Sequence, residues 1–138
     1  MIVLDTNVLS EVIKITPSAR VVEWWNLFPE AELYLTSITQ AEILVGIELL
    51  PKGKRRAAIE QAAEETFRED FAGRILPFDS EAASEFARII VRRRKLGRSI
   101  SQADAQIAAI ARAFQATLAT RNTGDFENCG VKLVNPWA

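Results

Sequence analysis

Four acidic residues, far apart in the chain, recur in one kind of place. Asp5 ends the apolar run Met1 to Leu4, Glu42 and Asp104 each open an amphipathic helical pattern, and Asp125 follows the short apolar segment Thr117 to Thr120. Carboxylates at strand ends and helix starts can converge on one rim of an α/β sheet, where like charges repel unless a cation joins them. Such a rim is a candidate site for hard divalent ions. Mg²⁺ suits it, because that ion takes oxygen ligands in octahedral geometry and keeps several waters. Two ions about 4 Å apart could activate a water and stabilise the leaving oxygen of a phosphodiester.

Each of the four also has a plainer explanation. Thr39-x-x-Glu42 has the form of a capping box, and Ser101-x-x-Asp104 is a near relative of one. Asp5 and Asp125 could cap helices or form Asx-turns, and the helix dipole favours acidic residues in first turns anyway. For any one residue the cap explains the sequence as well as a site does; only the set of four argues for a site.

Histidine is absent. That excludes Ser-His-Asp and Cys-His triads, histidine-ligated zinc and phosphohistidine chemistry. Hydrolysis by this chain must use carboxylates, a metal-activated water, or both.

The elements that must position these residues can be read from pattern. Met1–Leu4, Leu33–Thr36, Ile75–Phe78, Thr117–Thr120 and Val131–Val134 read as strands. Between them lie helical patterns over about Val8–Lys14, Ala19–Phe28, Thr39–Leu50, Lys54–Ala72, Ser80–Leu96 and Ser101–Phe114, with Gly73 and Gly97 as closing residues. The buried stripe of the fifth helix is expected at Ala83, Phe86, Ala87 and Ile90, and Trp25 and Phe28 are expected to face the core with Trp24 off that face. Strands that alternate with helices from end to end predict a three-layer α/β/α sandwich. Its central sheet is mostly parallel, with four to five strands. In such sheets, sites form beyond the carboxyl ends of the strands.

The 138 residues read as one domain, long enough to bury a core, and 49% apolar with 25% charged is ordinary for a globular protein. The formal net charge of −1 gives no overall attraction to nucleic acid, so such binding needs local basic patches. Two stretches qualify: Lys52, Lys54, Arg55 and Arg56, and Arg92, Arg93, Arg94, Lys95 and Arg98. The second falls at a helix C-terminus, where the dipole alone favours cations. A single cysteine, Cys129, permits no intrachain disulfide and fits a reducing compartment. No leader pattern is visible and no apolar run reaches the ~20 residues of a spanning helix, so a cytoplasmic location without membrane contact is expected.

Asp5-Thr6-Asn7 invites comparison with haloacid-dehalogenase-type phosphatases, which place a second aspartate where this chain has Asn7. The missing carboxylate would be the general acid, which speaks against that reading.

A different family fits the whole chain. Leu4-Asp5-Thr6-Asn7-Val8-Leu9-Ser10-Glu11, Ser37-Ile38-Thr39-Gln40-Ala41-Glu42-Ile43 with Gly46, Ser101-Gln102-Ala103-Asp104-Ala105-Gln106, Ala119-Thr120-Arg121-Asn122-Thr123-Gly124-Asp125-Phe126 and the closing Asn135-Pro136-Trp137 occur in order. In these segments the chain resembles the PIN-domain ribonucleases, specifically the VapC/FitB-like toxins of type II toxin–antitoxin pairs. The resemblance implies a Rossmann-like PIN fold. It also implies Mg²⁺- or Mn²⁺-dependent endoribonuclease activity, with RNA phosphodiesters hydrolysed by a metal-activated water. Catalytic and metal-site roles carry over onto Asp5, Glu42 and Asp104, with Asp125 as the fourth acidic position. Thr6, Asn7, Ser37, Thr120 and Asn122 become polar supporting residues; turn and cap chemistry explains Thr6 and Ser37 equally well. The resemblance further implies a small antitoxin that covers the acidic site, homodimerisation, a heterotetramer or larger assembly with the antitoxin, and DNA contact only through it. Arg92, Arg93, Arg94, Lys95 and Arg98 are expected to border the RNA path. Two other classes stay open: an RNA-processing or structure-specific nuclease of the same fold, and a catalytically silent binding module.

Overall fold

The structure, a computed structural model, describes all of residues 1–138. Five short strands form one parallel sheet: β1 (Ile2–Leu4), β2 (Leu33–Thr36), β3 (Ile75–Leu76), β4 (Thr117–Ala119) and β5 (Lys132–Val134). Their spatial order is β3-β2-β1-β4-β5. The chain therefore winds outward from β1 to one edge, then returns to the other side of β1 to lay down β4. Register pairs Ile2 with both Leu33 and Thr117, so β1, β2 and β4 start level. The mostly parallel four- to five-strand sheet expected from alternation is the sheet observed.

Six helices cover it: α1 (Thr6–Val12), α2 (Ala19–Trp25), α3 (Ser37–Glu48), α4 (Lys54–Glu65), α5 (Ser80–Lys95) and α6 (Gln102–Ala113). Side chains on a strand alternate between faces. Accordingly Val3 and Leu118 point into a core with Ala82 and Ile89 of α5 and the buried row Ala105–Ala111 of α6. Their neighbours Leu4 and Ala119, with Leu33 and Leu35, point the other way, against Val8, Leu9, Val21, Ile47 and Phe67. Two cores on opposite faces of one sheet make the three layers.

Two helices begin two residues earlier than the pattern predicts, and each has a capping reason. α1 starts at Thr6 because the Asp5 carboxylate accepts its N–H at 2.8 Å. α3 starts at Ser37, not Thr39, because the Thr36 hydroxyl accepts the Thr39 N–H at 3.1 Å. α5 begins at Ser80 as predicted, capped by the Asp79 carboxylate, which accepts the Ala82 N–H at 3.0 Å. The long fourth helix ends its regular part at Glu65 and continues as a π-helical turn, Thr66–Asp70, before Gly73 turns the chain at φ 72°. Gly97 closes α5 at φ 68°, a left-handed conformation that glycine adopts without strain.

Burial also shifts two expected faces. The fully buried stripe of α5 is Ala82, Ile89 and Arg93, with Phe86 and Ile90 packed against the same core as expected, while Ala83 and Ala87 are exposed. Trp24 does not stand apart from the core: it is half-buried and packs against Phe28, ring centres 5.0 Å apart and planes tilted by 60°, whereas Leu27 is exposed.

Candidate active site

The topology makes a site before any side chain is considered. The order of connection reverses between β1 and β4, and the crevice at such a switch point lies beyond the carboxyl ends of the strands. Asp5 is the residue after β1, and Thr120 is the residue after β4. Glu42 lies in the second turn of α3, which follows β2 directly, and Asp104 lies in the first turn of α6. Asp125 sits on the 3-10 turn Thr123–Phe126 between β4 and β5.

Asp5 is the most constrained of the set. It is only 5% exposed. One carboxylate oxygen caps α1; the other accepts the Thr120 hydroxyl at 2.7 Å and the Asn7 amide at 3.2 Å. Burial pushes its pKa up from 3.8 to about 6. The bonds from Thr120 and Thr6 oppose that rise, and the negative charges of Asp104 and Glu42 add to it. Burial also raises the pKa of Asp104, with the carboxylates of Asp125 and Glu42 adding to the shift. Every one of the four acidic residues is thus within electrostatic reach of at least one other.

The capping-box explanation fails for Glu42. The helix begins five residues before it, and its carboxylate accepts the Thr6 hydroxyl at 2.7 Å instead. Thr6 in turn lies 2.9 Å from the Thr39 hydroxyl. Since Thr6 gives its single proton to Glu42, Thr39 donates to Thr6, and the chain Thr39–Thr6–Glu42 fixes the direction of each bond. Thr39 is fully buried, and the sequence offered it as a helix cap, not as a support of Glu42. The signal was there: it precedes Glu42 by three residues, one turn along the same helix face. Ser101, by contrast, does cap α6, its hydroxyl accepting the Asp104 N–H at 3.1 Å.

The remaining supports tie the strand ends together. Thr120 is fully buried, and its hydroxyl also accepts the Asn122 N–H at 3.1 Å. Asn7 accepts the Arg121 N–H at 3.3 Å, joining the loop after β1 to the loop after β4. Asn122 precedes the 3-10 turn and its carbonyl accepts the Asp125 N–H at 3.0 Å. Ser37 opens α3, half-buried; the hydroxyl that meets Thr6 is that of Thr39. Phe126, 1% exposed, plugs the Asp125 turn into the core. Phe126→Ala is expected to cost about 3 kcal/mol or more of unfolding free energy, read from a urea transition, as large-to-small core changes do.

One expected RNA contact is corrected. Arg93 is 3% exposed and turned inward, on the same side of α5 as Ala82 and Ile89, and its N–H groups donate to backbone carbonyls. Arg92, Arg94, Lys95 and Arg98 do remain exposed. Of the first basic stretch, Arg56 is committed to Glu48 and Glu60 at 2.9 and 2.7 Å.

No three acidic or cysteine side chains are gathered into a ready ligand cage. The carboxylates are coupled through space without forming such a cage. Their donor set nevertheless fits a hard divalent cation. All donors are oxygens, and a buried carboxylate whose ionisation is opposed by burial and like charge is one that a cation would relieve.

The PIN domain family matches residues 2–131, and the chain belongs to that family. Among its relatives, it is 42% identical over 137 residues to the toxin FitB of Neisseria gonorrhoeae, with 99% of each chain covered. It is 41% identical over 137 residues to the VapC ribonuclease Y4jK of Sinorhizobium fredii, covering 99% of this chain and 98% of that one. In three dimensions it matches the structure of FitAB bound to an IR36 DNA fragment with a TM-score of 0.94 and 41% identity, covering 100% of this chain and 96% of that chain. The PIN-like architecture that the resemblance implied is therefore the architecture found.

Proposed function

We propose that this chain is a divalent-metal-dependent endoribonuclease that acts as the toxin of a type II toxin–antitoxin pair. The observation that carries the chemistry is the electrostatic linkage of Asp5, Glu42, Asp104 and Asp125 around the switch point of the sheet, where burial chiefly, and the neighbouring carboxylates in addition, oppose ionisation of Asp5 and Asp104. The toxin role is supported by the relatives named toxin and VapC ribonuclease.

In this reading Asp5, Glu42, Asp104 and Asp125 would hold Mg²⁺ or Mn²⁺, directly or through water. Such a cation supplies Lewis acidity at the scissile phosphate and lowers the pKa of water. The chain's own residues do the rest. Thr120 and Asn7 fix the orientation of Asp5, and Thr6 fixes that of Glu42. With no histidine, a carboxylate or bulk water must take the proton that the attacking water loses.

RNA reaches the site along exposed basic residues. A groove of about 720 Å³ along α5 is lined by Arg88, Arg92 and Lys95, with Asn128 from the β4–β5 loop. For single strands each neutralised phosphate contributes about −0.7 to the slope of log K against log salt. The double variant Arg92→Ala/Lys95→Ala is therefore expected to flatten that slope by about 1.4, measured by fluorescence anisotropy on RNA in EDTA.

The partner is a small antitoxin. An apolar cleft of about 270 Å³ between α1, α3 and α4 is lined by Leu9, Ile13, Ile43, Ile47, Ile59 and Phe67, and suits the apolar face of a partner helix. Ile43 follows Glu42 in the chain, so a segment seated there lies close to the acidic residues it would cover. A homodimer, and a heterotetramer or larger with antitoxin, follow from the same reading, with DNA bound only through the antitoxin; the FitAB–DNA structure supports it. No helix is long and apolar enough to cross a membrane, and the proposed location is the cytoplasm.

The test is incubation of purified, partner-free protein with RNA and Mg²⁺ or Mn²⁺, beside an EDTA arm and a single-stranded DNA arm. Metal-dependent cutting of RNA alone is expected. Cutting of DNA in preference would assign a different nuclease, and metal binding without cutting on a broad RNA pool would assign a binding module.

A further inference from the structure

Arg93 is the one cation sealed inside the molecule, and nothing said so far about RNA or metal uses it. Its guanidinium donates to five acceptors. Nε reaches the carbonyl of Arg98 at 3.1 Å and Nη2 that of Ser99 at 2.9 Å. Nη1 reaches the carbonyls of Asp125 at 2.9 Å and Glu127 at 2.6 Å, with the Cys129 sulfur at 3.9 Å. The first pair belongs to the segment that leads into Ser101 and so into the first turn of α6, which carries Asp104. The second pair belongs to the turn that carries Asp125. A planar fork with fixed N–H directions constrains the distance between two segments in a way an ammonium on a flexible stem cannot.

We propose that Arg93 is the positioning residue that sets the spacing of Asp104 and Asp125, and with it the affinity of the acidic site for a divalent cation. The proposal rests on the metal-site reading above. It assigns Arg93 no contact with RNA and none with the reacting atoms. It holds the backbone of two segments, each of which presents one carboxylate, so its removal loosens the site without removing a ligand.

Arg74 supplies the comparison. Its guanidinium also ties three backbone carbonyls together, those of Glu30, Leu33 and Asp70. It precedes β3, however, and so stands at the amino ends of the parallel strands, on the far rim from the carboxylates.

The experiment compares wild type, Arg93→Lys, Arg93→Gln and Arg74→Lys. Each is checked for a cooperative thermal transition by circular dichroism in EDTA, then titrated with Mn²⁺ by electron paramagnetic resonance of the free ion, then assayed on RNA at fixed sub-saturating Mn²⁺. At least one Arg93 variant is expected to melt cooperatively and to bind Mn²⁺ roughly tenfold or more weakly, the range found when partners that orient ligands are lost. Its kcat should fall by a similar factor with KM for RNA little changed, and added Mn²⁺ should restore kcat. Arg74→Lys should bind Mn²⁺ as wild type does. Unchanged Mn²⁺ affinity in every folded Arg93 variant overturns the proposal, as does a raised KM at unchanged Mn²⁺ affinity. Loss of the cooperative transition in both Arg93 variants assigns the residue to the fold alone and also overturns it. No Mn²⁺ binding by wild type overturns the metal-site reading itself, and this proposal with it.

Discussion

Asp5→Ala and Asp104→Ala are each expected to lower metal-dependent RNA cleavage by roughly a thousandfold or more while leaving a cooperative fold. A bound divalent ion is worth several kcal/mol of charge stabilisation in a transition state, and ~4 kcal/mol corresponds to about three orders of magnitude in rate. Both residues are acidic members of the switch-point crevice, but they are embedded differently. Asp5 is buried and its loss removes the N-cap of α1 and the partner of Thr120. Asp104 is more open, and the cap of α6 is the Ser101 hydroxyl, which the substitution leaves in place. Asp104→Ala is therefore the cleaner of the two for activity. The assay is initial-rate cleavage of labelled RNA at saturating Mn²⁺, with circular dichroism beside it. Cleavage within tenfold of wild type in both variants would remove these carboxylates from the chemistry.

Without metal, the protein should lose stability as pH rises from about 4 to about 7, the reverse of ordinary acid denaturation. The unfolded chain releases the Asp5 proton near 3.8, whereas the folded chain holds it until about pH 6, chiefly because the carboxylate is buried. Below 3.8 the group is neutral in both states and costs nothing. Through the window the unfolded state gives up its proton first, so the folded state is penalised progressively, and above the folded value the full penalty applies. At about 1.36 kcal/mol per unit of pKa, that penalty approaches 3 kcal/mol. Asp104 shifts in the same direction and adds to the trend. Asp5→Asn should therefore be more stable than wild type by about 2 kcal/mol at pH 7.5 in EDTA, with the advantage gone by about pH 4. Urea midpoints across that range check it. Stability differences that do not change with pH would mean that Asp5 ionises freely in the folded protein.

Much of this was legible in the sequence, and the reasons differ from residue to residue. Alternation of short β-branched runs with helical periods sufficed for a parallel sheet, because βαβ connection leaves few other arrangements. All four carboxylates could be singled out on position alone, Asp5 and Asp125 after strands and Glu42 and Asp104 at helix starts, and family resemblance gave them a shared metal-site role. What could not be read was direction. Thr39 and Glu42 looked like a capping box because the pattern places the start of α3 at Thr39; only the Thr36 cap, made by a buried strand residue, moves the start and frees Glu42 to meet Thr6. Arg93 sits in a run of four basic residues, where composition suggests a solvated face. Its inward turn follows from helical phase, since Ala82, Ile89 and Arg93 lie on one side of α5, and from carbonyls on two distant segments that no local pattern announces.

The most direct measurement is a Mn²⁺ titration of the purified, partner-free chain at pH 7.5, followed by competition with Mg²⁺, on wild type and Asp104→Ala side by side. A saturable site in wild type, displaced by Mg²⁺ and lost or greatly weakened in the variant, is the expected result. Equal binding by both proteins, or no binding by wild type, would contradict a metal centre built from these carboxylates and leave Asp5 as the cap of α1 and Glu42 as the acceptor of the Thr6 hydroxyl.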